Sequence, residues 1–396
     1  MADGINKIVI AKKETVWGTK PVATAAQLYP RVTGAFQLEK ETYASNAIRP
    51  SQQTGDSRHG TRKSTGSLEG ELQCGAYKEF QAAALRKDYA GTATTGVLTT
   101  ISSTVGTLVR TAGNFITDGF RNGMIITVTG FTAPATANNA RYVIVDVIAL
   151  TLTVRKVDQA AVPMVVKAAG DSVTIALQGK LTFTPQTGHT NDSFSIEEFN
   201  SDIPMSRITL GQQVNTMEMS LSPNGMVANT FAFMGKDAEA STAVQYFTAP
   251  TAVPATGTMS TADGLCLIAG LGVCTLSSFS MTVDNGITQE AVIACKGIGA
   301  KSRGKVKVSG SFTAILLDST YIEYFNLEQE VSFSLTVNGT DGTTFSLFMP
   351  RMKINSATTD DGEKVILASI NFDALEYVGV NPAIEKTTLT LSDSSL

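Results

Sequence analysis

The chain carries the same segment twice, and the spacing of the copies constrains its fold more than any other feature. Residues 60–80 read GTRKSTGSLEGELQCGAYKEF and residues 304–324 read GKVKVSGSFTAILLDSTYIEY, aligned at a constant offset of 244. Gly60, Lys63, Gly66, Ser67, Leu72, Tyr77 and Glu79 meet Gly304, Lys307, Gly310, Ser311, Leu316, Tyr321 and Glu323. Thr65/Ser309, Leu68/Phe312 and Phe80/Tyr324 match in kind. Internal similarity of this sort means two copies of one supersecondary unit, each able to build half of a structure.

The match extends in both directions. Upstream, Phe36-Gln37-Leu38 meets Phe279-Ser280-Met281 at an offset of 243. Downstream, Leu181-Thr182-Phe183 meets Val331-Ser332-Phe333 at 150, and Ser193-Phe194-Ser195-Ile196 meets Thr344-Phe345-Ser346-Leu347 at 151. The fall from 244 to 150 implies an insertion of about 94 residues in the first copy, between Asp88 and Leu181.

The pattern inside each copy is that of strands. Leu68, Gly70, Leu72 and Cys74 alternate with Glu69, Glu71 and Gln73, and Val331, Phe333, Leu335 and Val337 alternate with Ser332, Ser334 and Thr336. A period of two is a half-buried antiparallel strand. Asn338-Gly339-Thr340-Asp341-Gly342 then turns the chain into Phe345–Met349, a hairpin by its turn chemistry. Helices are few: one over Ala76–Lys87, with Arg86 and Lys87 at the negative end of its dipole, and a partner after Asp318 whose Thr320-Tyr-Ile-Glu323 resembles a capping box. Each copy thus reads as strand, long loop, strand, short helix, hairpin.

The inserted region has its own strand signals at 106–111, 124–129, 141–148, 150–155 and near 172–177, and no helix of convincing length. It reads as a small all-β domain whose two ends lie close together, because it must leave and re-enter its parent lobe. The expected organisation is an N-terminal arm over 1–33, a first lobe over 34–89 plus 181–245, the insert over 90–180, a second lobe over 246–380 and a C-terminal tail over 381–396. Both terminal segments read either as arms that order on a neighbour or as simple disorder.

Composition excludes several classes. No apolar run reaches the ~18–20 residues needed to cross a bilayer as a helix, and the N-terminal MADGINKIVIAKKE lacks the pattern of a secretion signal. A net charge of −4 argues against gripping nucleic acid through the whole surface. The four cysteines, Cys74, Cys266, Cys274 and Cys295, sit among apolar residues without metal spacing and read as buried. His59 and His189 are the only imidazoles, and both lie where solvated polar residues are expected.

Candidate chemistry does not assemble. Gly299-Ala-Lys-Ser-Arg-Gly304-Lys305 has phosphate-loop spacing, but Val306 replaces the required hydroxyl and the segment leads into a strand instead of opening a helix. Asp360 and Asp361 belong to a solvated turn, and Glu197 and Glu198 are strand neighbours that point to opposite faces. No triad, metal cluster or cofactor motif emerges, so the reading is of a non-enzyme without cofactors.

Charge concentrates in the two long loops. From Glu41 to Gly66, Arg49, Arg58, Arg62 and Lys63 outweigh Glu41 and Asp56, a net +2. From Asp284 to Gly310, Lys296, Lys301, Arg303, Lys305 and Lys307 outweigh Asp284 and Glu290, a net +3. These basic islands fall at equivalent places in the repeat. Arg49, Arg58, Arg62, Lys63, Lys296, Lys301 and Arg303 are therefore the candidates for contacts with acidic surface on neighbouring subunits, where complementary charge fixes register. Changing Arg58 and Arg62 together to Glu is expected to leave the lobe folded and impair stacking.

These residues also point to a family. Lys13-Glu14-Thr15-Val16-Trp17-Gly18-Thr19, the loop from Ile48-Arg49-Pro50 through Asp56 to Gly60, and Gly66-Ser67-Leu68 leading to Tyr77 together resemble tail tube proteins of long-tailed bacteriophages. So do Gly225-Met226-Val227 leading to Phe231, Phe233 and Gly235, and Phe348-Met349-Pro350-Arg351. The inserted stretch from Gly113 through Asn114-Phe115-Ile116 to Gly123 resembles the add-on β domains of such proteins.

The resemblance implies an all-β fold of two tandem β-sandwich lobes, each with a short flanking helix, plus the small inserted β-sandwich or barrel. It implies a virion structural protein that polymerises as stacked rings into a conduit for DNA ejection. Sixfold or quasi-sixfold rings are usual in the family, so two lobes per chain lead to a trimeric, pseudo-hexameric ring. The implied partners are the chain itself and other tail proteins, with DNA passing through the lumen unbound and no membrane involved. Assembly would take place in the host cytoplasm, and the insert would project outward. The competing readings are a head-decoration or tail-completion component of a virion, or a carbohydrate-binding β-sandwich. A single tryptophan, Trp17, weighs against the last.

Overall fold

The computed structural model describes residues 3–396 except Thr54, 159–162, Cys274, 361–362 and Lys364. Nearly every regular element is an antiparallel strand; the α-helices among the described residues are Lys78–Leu85 and Thr320–Asn326.

Each lobe is built on a unit of five strands. In the first lobe they are Thr33–Ala44, Ser57–Glu71, Phe194–Asn200, Met205–Leu221 and Ala228–Gly235; in the second they are Leu276–Asp284, Lys307–Ile315, Glu330–Gly339, Thr344–Thr359 and Leu367–Ala374. Numbered in chain order, they lie side by side as first, second, fifth, fourth, third in both lobes. The irregularities repeat as well. The third strand shifts register between Phe194 and Ile196 and between Val331 and Phe333. The fourth bulges between Val214 and Thr216 and between Ile354 and Ser356. Bulges are designed features of a fold, so their recurrence at equivalent places confirms the duplication independently of residue identity.

Pairing corrects the expected alignment on both sides of the repeated segment. Gly66 faces Phe36 and Gly310 faces Met281, which sets the first strands at an offset of 245 instead of 243. Gln212 pairs with Phe194 and Met352 with Val331, so the third strands stand at 137, not at 150 or 151. Strand alternation has a period of two, and similar residues recur on one face at several registers; short matches such as FSI with FSL are satisfied by slipped alignments. The extra length in the first lobe is accordingly 107 residues, the difference between 244 and 137. Lys180–Phe183 has no counterpart in the unit and pairs with Thr390–Asp393, which in turn pairs with Phe345–Phe348 of the second lobe.

Alternation places the cores. Along Ala228–Gly235 the buried positions are Asn229, Phe231, Phe233 and Gly235, and along Leu367–Ala374 they are Ala368, Ile370, Phe372 and Ala374. In the first lobe Phe80 stacks on Tyr29 at 4.2 Å between ring centres and meets Phe194, Phe231 and Phe233 at 5.0, 5.5 and 5.1 Å. In the second, Phe279, Phe312, Phe333 and Phe372 lie 5.0–6.4 Å apart. The repeated glycine explains itself here: a Cβ on Gly66 would lie 2.1 Å from the Phe36 ring, and one on Gly310 2.6 Å from the Phe372 ring. Burying one such aromatic contributes about 1.5–3 kcal/mol.

The two termini are not free arms. Lys7–Lys13 continues the first lobe's sheet beyond Phe194–Asn200, with Val9, Ile10 and Ala11 fully buried, and Gln27–Tyr29 pairs beyond it. At the other end Leu389 and Leu391 are fully buried in the shared core. Lys7–Lys13 is buried at three consecutive positions instead of alternating, Gln27–Tyr29 and Thr390–Asp393 are too short for a period to show, and their partners lie at a distance in sequence.

The insert is a single seven-stranded sheet in the order Thr94–Leu98, Val173–Leu177, Ile125–Thr129, Arg141–Ile148, Thr151–Lys156, Thr107–Arg110, Ile101–Thr104. It encloses its own core around Phe115, Phe120, Ile126 and Tyr142. Its ends meet as expected, with reciprocal main-chain bonds between Ala90 and Leu181 at 2.8 and 3.0 Å. It leans on the second lobe: Arg141 donates to Thr344 Oγ1 at 2.6 Å, and Asn338 donates to the Val157 carbonyl at 3.0 Å.

Candidate functional site

The most informative surface is the joint between the lobes. The far half of the first lobe's fourth strand pairs with the second lobe's first strand, from Thr216 opposite Asp284 to Leu221 opposite Phe279. Met217, Met219, Met281 and Val283 turn inward there and are buried. This joint makes the sheets of the two lobes continuous. Because the unit is duplicated, each half of the joint has an equivalent elsewhere. Ser356–Thr359 pairs with Leu367–Ala374 alone, and Thr33–Ala44 pairs with Ser57–Glu71 alone, among the described residues. Both therefore present an open main-chain edge, the usual site for adding another strand.

The edge of Thr33–Ala44 is guarded at Gly34, whose carbonyl accepts from Lys7 Nζ at 2.7 Å, and at Phe36. Phe36 donates its N–H to Glu198 at 3.3 Å, and its carbonyl accepts from Arg207 at 2.8 Å. Glu198 is itself ion-paired with Lys7.

The basic islands are brought together. Thr33–Ala44 and Ser57–Glu71 form one long ribbon, while Ile287–Glu290 and Ala300–Arg303 form a separate hairpin. The ribbon and the hairpin touch where the Arg62 N–H donates to the Lys296 carbonyl at 2.7 Å. The seven candidate residues then divide. Arg62 pairs with Asp237 at 2.5 Å and Lys63 with Glu39 at 3.4 Å. Lys301 lies over the Trp17 ring, 4.6 Å from its centre, and Arg303 donates to the carbonyls of Thr190 and Asp192 at 3.2 and 3.4 Å. Burial lowers the Lys301 ammonium from its usual 10.5 to about 8, helped by the nearby Arg303 and Lys236 cations. Burial and then Arg86 bring Arg303 down to about 10. Arg49, Arg58 and Lys296 are exposed; Arg58 holds Asp56 at 3.3 Å. The paired arrangement of Arg62 alters the expectation for its reversal to Glu, which would set two carboxylates against each other inside the lobe.

Two buried carboxylates, unremarked as a structural pair in sequence, lock the first lobe. Glu14 accepts from Gly18 N–H, Ser193 Oγ, Ser195 Oγ and Gly211 N–H at 2.7–2.8 Å. Glu197 accepts from Ser206 Oγ at 2.5 Å and from the Tyr246 and Phe247 N–H groups at 2.7 and 2.8 Å. It thereby ties the connection between lobes to the first sheet, while Glu198 faces Lys7 on the opposite side, as strand alternation requires. Nothing in the local pattern signals these cages, since their donors come from four separate segments.

The remaining candidates fall apart as chemistry. His59 and His189 are exposed, on a strand and in an irregular segment. Ala300–Arg303, within the phosphate-loop-like spacing, is a strand and Lys307–Ile315 follows as another. Cys74 and Cys266 are buried, but Cys295 is exposed, contrary to expectation; it sits in the turn of the second hairpin, where apolar neighbours do not make a core. Cys274 and Asp361 lie outside the described residues. The second helix starts one residue earlier than its expected box: Ser319 is the N-cap and its hydroxyl bonds Glu323 at 2.6 Å. No helix among the described residues is long and apolar enough to cross a membrane.

Compared with known proteins, the chain is matched over residues 4–374 by the family model described as phage tail tube protein. No curated protein matches it.

Proposed function

Since a match over residues 4–374 makes this chain a member of the phage tail tube protein family, we propose that it polymerises as stacked rings, three chains to a ring, into the tube through which the phage genome leaves. Its place as a structural component of the virion tail follows from the family. The ring reading goes further and is carried by one observation: two copies of the same unit are already joined edge to edge within the chain. A joint that seats one unit beside the next can recur between chains. Three chains then supply six units around an axis, the closed pseudo-sixfold arrangement that leaves no edge exposed.

Other features support this reading. A net charge of −4 suits a conduit that must not hold phosphates. The exposed Arg49 and Lys296, and Arg58 with its water-open Asp56 pair, can meet acidic surface on an adjoining ring. The insert, present once per chain, would stand outside the tube three times per ring, because a bore wide enough for DNA has no room for it. Assembly would precede release of the virion, in the host cytoplasm.

Electron microscopy of the purified chain at high concentration tests the proposal. Long hollow polymers with three inserts per ring are expected. A chain that stays a compact monomer under every assembling condition, or forms solid fibres, would overturn it.

A further inference from the structure

The internal joint specifies more than the existence of a ring; it specifies a register between chains. Equivalences set by strand pairing place the second lobe's first strand at an offset of 245 from its copy, and its fourth strand at 140, since Ile354 faces Phe372 as Val214 faces Phe233. Transferred by these offsets, Thr216 opposite Asp284 becomes Ser356 opposite Glu39, and Met219 opposite Met281 becomes Thr359 opposite Phe36. We propose that the edge Ser356–Thr359 of one chain pairs antiparallel with Gln37–Glu39 and Phe36 of the next, in this register. The inference rests on the ring reading above and names the strands that close the ring.

The residues themselves fit the transferred register. A hydroxyl faces a carboxylate at both joints, Thr216 with Asp284 and Ser356 with Glu39. Each of those carboxylates also faces a lysine on its other side, Asp284 with Lys307 and Glu39 with Lys63. Apolar residues meet at the next inward position, Met217 with Val283 and Ala357 with Leu38. No like charges oppose, which would be destabilising on one face of an antiparallel pair. Phe36 turns its N–H and carbonyl outward, toward Glu198 and Arg207, so in the paired state Thr359 would replace both guards. Gln37 and Thr358 then form the close, non-hydrogen-bonded pair, with Cα atoms about 4.5 Å apart.

That geometry suits a disulfide. The test uses the full chain with Gln37→Cys and Thr358→Cys, both exposed positions, and with Cys274→Ser and Cys295→Ser to remove competing thiols. Oxidised tubes should yield a covalent trimer on a non-reducing gel, with dimer as the partial product. Tubes with no interchain link overturn the register, and a ladder continuing past three overturns the three-chain ring on which it rests. Glu218→Cys with Thr282→Cys, the same pair in the internal joint, is the control and should link within one chain. If wild-type chains form no tube, the ring reading itself fails; if tubes form and only the control links, the register alone fails. Should the double variant not fold, hydrogen exchange on the unmodified chain decides the matter. The amides of Phe36 and Leu38 should slow at least tenfold on assembly, and unchanged exchange there overturns the proposal.

Discussion

The same helix occupies the same place in both lobes and meets opposite fates. In the first lobe, Lys78–Leu85 buries Phe80, Gln81, Ala82, Ala83, Ala84 and Leu85; in the second, Thr320–Asn326 buries none of its residues. The cause lies outside the helices. Tyr29, from the N-terminal extension that adds strands to the first lobe, stacks on Phe80, whereas Leu317, Phe325 and Leu327 around the second helix remain exposed. The two lobes share one unit, and what packs against it makes one a closed core and leaves the other with open apolar surface. Fold is inherited from the repeat; burial is set by what packs against it.

The strongest test of that difference is a pair of substitutions at matched positions. Phe80→Ala removes a ring that touches four other aromatics and should cost about 3–5 kcal/mol. Its counterpart Tyr324→Ala, on a half-buried ring, should cost about 1 kcal/mol. Urea unfolding of the two variants measures both, and equal losses would mean that the lobes are energetically alike despite their unequal cover.

The next largest effect concerns the guarded edge, which only the first lobe has. Leu335 and Leu347 stand in the second lobe near the places of Glu198 and Arg207, so no charged clamp is possible there. Arg207→Met with Glu198→Met removes both hydrogen bonds to Phe36, worth about 0.5–1.5 kcal/mol each, that must break before a strand can add. The lag before polymer forms, followed by light scattering, should shorten about tenfold. A lengthened lag would show the clamp to be a scaffold and not a guard.

How much of this could be read from the sequence depends on the range of the interactions concerned. Gly66 and Gly310, the alternation after them and the helices are local features, and all stood out because each follows from neighbouring residues. The insert was visible as a break in the repeat, and the meeting of Ala90 with Leu181 follows from the need to re-enter the lobe. The register of Phe194 and Val331 was not legible: strands of alternating type match at several slips, and only pairing with Gln212 and Met352 selects one. The carboxylate cages of Glu14 and Glu197 and the pairing of Arg62 with Asp237 were hidden for the same reason, because each joins segments more than ten to over a hundred residues apart along the chain or draws its donors from several of them.

A smaller difference between lobes is open to pH. Lys301 and Arg303 are partly buried in the second lobe's hairpin, where the first lobe has exposed Ser57 and His59 at the offset of 244. With its folded value near 8 and its ordinary value at 10.5, Lys301 binds fewer protons folded than unfolded between those limits. Its contribution to stability therefore rises with pH from about 8 to 10.5, and below 8 the buried charge is a constant penalty. Lys301→Met should raise the thermal midpoint at pH 7 and lose that advantage above pH 10.5. An advantage that does not vary with pH would assign the effect to packing on Trp17 instead.

The smallest effect on stability belongs to Arg58, and that makes it the cleaner probe of stacking. Its side chain is 73% exposed and its partner Asp56, two residues away in the same ribbon, is 57% exposed. An ion pair so open to water contributes about 0–1 kcal/mol, and its loss should move the melting midpoint by no more than about 1 °C. Arg62, by contrast, holds Asp237 on a different strand, and reversing it would disturb the lobe before any contact between rings was tested. Arg58→Glu alone thus separates folding from assembly. If the ribbon meets acidic surface on the next ring, this variant should keep the wild-type melting curve, form rings, and give shorter tubes whose length recovers as salt screens the new repulsion. Tubes of ordinary length at low salt would show that the ribbon's tip makes no such contact, and the basic residues of the two lobes would then be distinguished only by their burial.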